Sequence, residues 1–160
     1  MDENVKGRVS SFVNSVGRLF TDIESWIAST TLKAIRQPIQ ISEEASGRYE
    51  IDKLTLKSEK GKRVAEFFPV GAFIIGGNGR IDLVGTIDKA IIVNLKTGGP
   101  VMTTTIAAEG YKETRTTSFY EGVTQEGWYL IGDGRHGKAY FFTKDLFFDL
   151  LREVSDYAGG

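Results

Sequence analysis

One glycine-rich segment of the chain has a spacing associated with nucleotide binding. Gly132, Gly134 and Gly137 match the pattern G-x-G-x-x-G, in which the N-terminus of a following helix holds a pyrophosphate. Residues 138–142 alternate as a strand instead, which predicts a hairpin loop at this place. The single histidine, His136, lies in the same loop, where we expect a solvated side chain rather than a catalytic base.

A second candidate lies in residues 79–98, which contain Asp82, Asn94 and Lys96. This segment resembles the core hairpin of the PD-(D/E)xK nuclease superfamily, in which an Asp on one strand and an acidic-x-Lys on the next gather around Mg²⁺. The resemblance implies that Asp82 is a metal ligand and that Lys96 steadies the developing charge. Asn94 stands where the second carboxylate belongs. Because its amide oxygen is neutral, we expect a degenerate site that does not cleave DNA or RNA with Mg²⁺ or Mn²⁺.

The same segment also has a purely structural interpretation. An antiparallel pair of strands would turn Ile91, Val93 and Leu95 toward the core and leave Lys96 in solvent. This interpretation predicts no metal site, and we prefer it to an active nuclease.

Four basic residues cluster around one predicted turn, namely Lys57, Lys60, Lys62 and Arg63. A basic hairpin tip can contact nucleic-acid phosphates. Charged residues also gather at turns because turns lie in water, and two nearby glutamates dilute this patch. Nucleic-acid contact is therefore kept as a candidate that is not favoured.

Composition narrows the classes of function. The 160 residues hold 20 Lys plus Arg against 21 Asp plus Glu, for a net charge of −1, so no overall attraction to nucleic acid or anionic membrane is expected. With no cysteine and one histidine, thiolate zinc sites, iron–sulfur clusters and multi-histidine metal sites are excluded. We predict no cofactor, no membrane span and a cytoplasmic protein.

The first 36 residues have the periodicity of an amphipathic helix. Apolar side chains recur at steps of three and four, and a neighbouring row holds small residues. Asp2 can cap the start, Ser29-Thr30-Thr31 can break the helix, and Pro38 ends it. The two rows predict a partner-binding surface formed by Val5, Val9, Phe12, Val16, Gly17, Leu19 and Ile23.

From residue 37 to the C-terminus the chain has the pattern of a single antiparallel β domain. Strand-like alternation and glycine-rich turns run from Ile39 to Phe142, and the short connections predict hairpins. Thr143 can cap a C-terminal helix with one apolar face. The predicted fold is α+β: a coiled, mostly antiparallel sheet of about six to nine strands, flanked by the N-terminal helical segment and the C-terminal helix.

These observations favour a non-catalytic interaction or adaptor subunit. Its N-terminal helix would dock on a protein partner or on a second copy of the chain. Burial of both helical rows inside the monomer is the competing structural interpretation. The alternative function is a divalent-metal nuclease of the PD-(D/E)xK type, degenerate at Asn94.

Overall fold

The computed structural model describes residues 2–132 and 137–159, and its fold is α+β, which confirms the predicted class. Seven strands form one antiparallel sheet in the order β1-β2-β3-β4-β5-β8-β9, and β6 and β7 form a separate pair. The elements are α1 (Glu3–Ile27), β1 (Lys33–Glu43), β2 (Gly47–Lys57), β3 (Arg63–Gly71), β4 (Gly79–Gly85), β5 (Lys89–Leu95), β6 (Val101–Ala108), β7 (Tyr111–Ser118), β8 (Gly127–Ile131), β9 (Ala139–Phe141) and α2 (Lys144–Val154).

Helix α1 begins as predicted but ends earlier than predicted. The Asp2 side chain accepts a hydrogen bond from the backbone N–H of Asn4 at 2.7 Å, which satisfies an otherwise free donor of the first turn. The helix ends at Ile27, where Thr30 turns back and bonds the Ile27 carbonyl through both its N–H and its hydroxyl. The Ser29-Thr30-Thr31 segment therefore stops the helix and does not start another one.

Residues 33–36, which were predicted to be helical, open strand β1 instead. Lys33 pairs with Lys57, and the register continues without a shift to Glu43 opposite Gly47. Pro38 lies inside this strand, opposite Asp52. Strand β1 is at the edge of the sheet, where a residue without an N–H can turn its nitrogen away from the ladder, so proline is tolerated there.

Both helices pack on the same face of the seven-stranded sheet. The rings of Phe20, Phe142 and Phe147 surround Phe67 of β3, with centroid separations of 6.1–6.5 Å. Thr143 caps α2 as predicted, accepting a hydrogen bond from the backbone N–H of Leu146 at 3.2 Å. The main core therefore lies between this face and the two helices.

A second, smaller core covers part of the opposite face. Val93, Leu95 and Tyr129 are buried there together with Val123 and Ala139. The predicted inward row of β5 thus does turn to a core, but to this smaller one, whereas the alternate residue Ile92 enters the main core. Both faces of β5 are buried because helices cover one and the chain around residues 120–123 covers the other.

Strands β6 and β7 form a hairpin that we call the arm (residues 101–118). Val101 pairs with Ser118 and Ala108 with Tyr111, and in the described part of the chain neither strand joins the main sheet. Nearly every residue of the arm is exposed on both of its faces.

Neither α1 nor α2 is long and apolar enough to cross a membrane, and these are the helices of the described residues.

Candidate functional site

Three long-range contacts seat helix α1 on the sheet. Trp128 of β8 donates from its indole nitrogen to the Ser15 carbonyl at 3.3 Å. Arg36 of β1 donates to Glu24 at 2.6 Å and to Thr21 at 3.0 Å. Because β1 and β8 lie far apart in the strand order, the sheet must curve strongly enough for one helix to reach both.

A polar groove, which we call the α1 groove, runs between α1 and the adjoining parts of β5 and β8. It has two connected sections of about 810 and 350 Å³, which share Ser15, Asn94 and Glu126. Gly7, Arg8, Ser11, Phe12, Asn78 and Lys96 complete the smaller section. Its volume lies within the range of roughly 300–1,000 Å³ typical of small-molecule sites.

Asn94 forms the floor of both sections. It pairs with Gly79 of β4 and Trp128 of β8, and only 8% of its surface is exposed. Among the described residues no hydrogen bond reaches its side-chain amide, whose polar atoms open into the groove. The amide is therefore accessible from the groove and available to a ligand.

Lys96 and Glu126 lie at the mouth of the smaller section. The β5–β8 register pairs Leu95 with Gly127, so these two residues stand opposite each other one step beyond the ladder. Both are exposed, and in the described part of the chain neither belongs to a salt bridge. A cation and an anion thus line the same section of the groove without forming an ion pair in the described structure.

The residues of the nuclease resemblance are divided between the two faces of the sheet. Asp82 of β4 pairs with Ile91, which packs on the smaller core, whereas Asn94 faces α1. Arg80 holds the Asp82 carboxylate with two hydrogen bonds of 2.8 and 3.2 Å. The described residues contain no group of three or more histidines or acidic residues placed to hold a metal ion. Asp82, Asn94 and Lys96 are therefore not brought together, and the resemblance stays a prediction.

Two of the four basic turn residues are paired with acidic side chains. Lys62 contacts Asp156 at 3.1 Å, which holds the pKa of that carboxyl below its usual value. Arg63 contacts Glu66 at 2.8 Å. Lys57 is half-buried at the end of β2, and Lys60 is exposed in the turn.

The helical residues predicted to bind a partner lie mostly inside the monomer. Phe12, Val16, Leu19 and Ile23 are each at most 4% exposed in the main core, and Val5, Val9 and Gly17 are half-buried. The apolar row already covers the protein's own sheet, so it is not a free surface. In the described part of the chain, no atom outside α1 itself lies within 4 Å of a Cβ placed on Gly7 or Gly17, so these two glycines are not packed on another helix.

The glycine-rich loop continues into strand β9 from Ala139, as predicted, and not into a helix. Gly132 and Gly137 flank residues 133–136, so His136 lies outside the described residues, as does the terminal Gly160.

Glu66 is one of the two glutamates near the basic turn, and the structure buries it. Its carboxylate accepts hydrogen bonds from Lys53 at 2.8 Å, Thr55 at 2.9 Å and Arg63 at 2.8 Å. Burial by itself raises the pKa of Glu66, but these donors outweigh it and hold the pKa below its ordinary value. All three donors are supplied by residues of the chain itself, which indicates a structural role.

Glu126 and Ser15, which line the α1 groove with Asn94, were not predicted as site residues. The only sequence signal for this site was the length of β5 and β8. The groove itself depends on the pairing of these two strands, which the arm separates in the chain. Comparison of the chain with models of known protein families, with curated proteins and with solved structures gave no match.

Proposed function

We propose that this chain is an interaction subunit that assembles with a second copy of itself through the arm. The observation that carries the proposal is the exposure of an eight-residue strand pair on both faces. An isolated two-stranded hairpin is at best marginally stable in water, whereas three or more strands with an apolar face are stable. A second copy supplies the missing strands.

One face of the arm carries its larger apolar side chains. Met102, Ile106 and Tyr111 point to this face, since their positions in the ladder share the same parity, and all three are exposed. Two arms joined edge to edge would place six such side chains on one face of a four-stranded sheet. Exposed apolar side chains concentrated on one patch are characteristic of interaction surfaces.

The remaining edges of the protein are poor competitors for this pairing. Strand β1 carries Pro38, whose missing N–H interrupts pairing on its open side, and proline on an edge strand discourages edge-to-edge contact. Strand β9, at the other edge, has three residues. The arm strands, with eight residues each, are longer than β9, and unlike β1 they contain no proline.

Charge complementarity selects strand β7 as the contact edge. Antiparallel pairing of two β7 strands about a two-fold axis at Thr114 places Glu113 of each copy opposite Arg115 of the other. In the single chain these two side chains already share a face and contact each other at 2.6 Å. Opposite charges directly across two strands stabilise the pairing, and like charges destabilise it.

Sedimentation and light scattering over a range of concentrations test the proposal. We expect the wild-type chain to dimerise and Arg115→Glu to be monomeric at the same concentration, because it places two acidic side chains opposite each other. The double variant Glu113→Arg/Arg115→Glu should dimerise again. Lys112→Glu makes the same change of charge on the other face of β7. The proposed register places this residue opposite Thr116 of the second copy, so the dimer should stay intact.

Circular dichroism on each variant verifies that the main sheet is folded. A wild-type chain that stays monomeric throughout would refute the proposal, and so would a dimer that is indifferent to Arg115→Glu. Dimers that persist after residues 101–118 are replaced by a short glycine linker would show that assembly uses another surface.

A further inference from the structure

We infer that the smaller section of the α1 groove binds a free α-amino acid with a polar side chain. The inference rests on three features that converge there: the amide of Asn94 on the groove floor, the ammonium of Lys96 and the carboxylate of Glu126. It concerns a different surface from the arm and does not depend on dimerisation.

The Asn94 amide supplies the first reason. It is 8% exposed and has no hydrogen-bond partner among the described residues, although its neighbours on β4 and β8 are close. The amide atoms are accessible from the groove, so a ligand hydrogen bond can replace their contact with solvent. The amide offers both a donor and an acceptor, so it can bind a carboxylate or an ammonium group.

The facing charges of Lys96 and Glu126 define the ligand. The two residues follow the last pair of the β5–β8 ladder and line the same section of the groove, yet they form no salt bridge in the described structure. A zwitterion inserted between them would place its carboxylate on Lys96 and Asn94 and its ammonium on Glu126. Glu126 disfavours a ligand that carries only negative charge, and Lys96 together with Arg8 disfavours one that carries only positive charge.

The walls of the groove favour a polar side chain on the ligand. Ser11 and Asn78 border the smaller section, and Asn14, Arg18 and Asp22 border the larger one. The aromatic residues of the two sections, Phe12 and Trp128, are buried in the core, so they present no free ring face on which a sugar could stack.

Arg8 keeps the end of the groove in place. Its guanidinium donates to the carbonyls of Ala72 at 3.1 Å and Gly77 at 3.0 Å, and it lies over the Phe73 ring at 4.9 Å. The loop between β3 and β4 is thereby tied to α1. A groove held on both sides is preorganised, which reduces the ordering cost of binding.

Calorimetric titration of the full chain with individual amino acids tests the inference. We expect at least one with a polar side chain to bind, and we expect Lys96→Met and Glu126→Gln each to weaken that binding about tenfold or more. Lys60→Met and Glu153→Gln make the same chemical changes at exposed positions away from the groove and should bind as the wild type does. Asn94→Ala should also weaken binding. If Asn94→Ala does not fold, Lys96→Met and Glu126→Gln still test the inference, because both change exposed residues.

Derivatives of the bound amino acid test whether the groove recognises both its ammonium and its carboxylate group. The N-acetyl derivative lacks the ammonium and the methyl ester lacks the carboxylate, so neither should bind measurably to the wild-type protein. The inference is overturned if no amino acid binds, if either derivative binds as tightly as the parent, or if Lys96→Met and Glu126→Gln both bind normally.

Discussion

The buried carboxylate of Glu66 offers a direct test of the energetics of this fold. Glu66 lies on the face of the sheet opposite the helices, opposite Thr55 of β2, and is 5% exposed. Its three donors come from three different side chains. We choose Glu66→Gln as the perturbation because it keeps the size of the side chain and one carbonyl oxygen while removing the negative charge.

The magnitude follows from what each donor can do after the change. Arg63 is exposed and can turn to water, and the Thr55 hydroxyl can still donate to the remaining oxygen. Lys53 keeps 19% of its side chain exposed, so its ammonium is left with a neutral partner and limited water. A hydrogen bond to a charged group contributes about 1.5–3 kcal/mol, and we expect Glu66→Gln to lower the free energy of unfolding by about 2 kcal/mol at neutral pH.

The direction of the Glu66 pKa shift predicts how the stability difference between wild type and Glu66→Gln changes with pH. The pKa of Glu66 is lower in the folded chain than its ordinary value of 4.5, so its stabilising contribution is complete above about pH 4.5. The contribution is lost as the pH falls through the folded-state pKa. The gap between wild type and Glu66→Gln should therefore be constant near neutrality and close progressively in acid.

Urea unfolding followed by tryptophan fluorescence measures this gap, since Trp26 and Trp128 both pack against the main core. Glu59→Gln makes the same chemical change in an exposed turn and should alter stability little at any pH. Adding Lys53→Met to Glu66→Gln should recover part of the loss, because no ammonium is then left without its partner. A gap well below 1 kcal/mol at neutral pH, or one that persists unchanged in acid, would refute this reasoning.

Two glycines provide matched predictions of opposite sign. Gly17→Ala should raise the free energy of unfolding by about 0.5–1 kcal/mol, because alanine favours a helix and no described atom outside α1 lies within 4 Å of the new Cβ. Thermal or urea unfolding measures this change, and a loss of stability would contradict the open surroundings of Gly17. Gly85→Ala should lower the free energy of unfolding by about 1–3 kcal/mol, because the new Cβ would overlap the Val154 carbonyl oxygen, which accepts hydrogen bonds from the N–H groups of Ile87 and Asp88. An unchanged stability would show that the end of α2 is not held this closely to β4.

Local sequence signals were sufficient to predict the two helices, their N-terminal caps and most of the strands. Asp2 and Thr143 were identified as caps because a short oxygen-bearing side chain before an apolar periodic run satisfies free N–H groups wherever the helix lies. Glycine-rich turns and alternating strands likewise predicted an antiparallel sheet with a C-terminal helix. The α+β class followed from these signals alone.

The end of α1 shows where local signals were insufficient. Residues 33–36 continue from a helical stripe, and Pro38 is as compatible with the end of a helix as with an edge strand. Pairing of Lys33 with Lys57 along the full length of β2 decided the outcome, because a long backbone ladder plus side-chain burial outweighs a helical tendency of a few residues.

The tertiary structure alone decided which residues of the candidate sites meet. Alternation shows that Asp82 and Asn94 each point to one face, but only the register, with Asp82 opposite Ile91 and Asn94 opposite Gly79, places them on different faces. The same is true of the groove, because β5 and β8 are neighbours in the sheet although the arm lies between them in the chain. The sequence by itself determined the helix caps and most of the strands, because those depend on neighbouring residues. The faces of Asp82 and Asn94, and the meeting of Lys96 with Glu126, depend on contacts between distant segments, and these exist only once the sheet has formed.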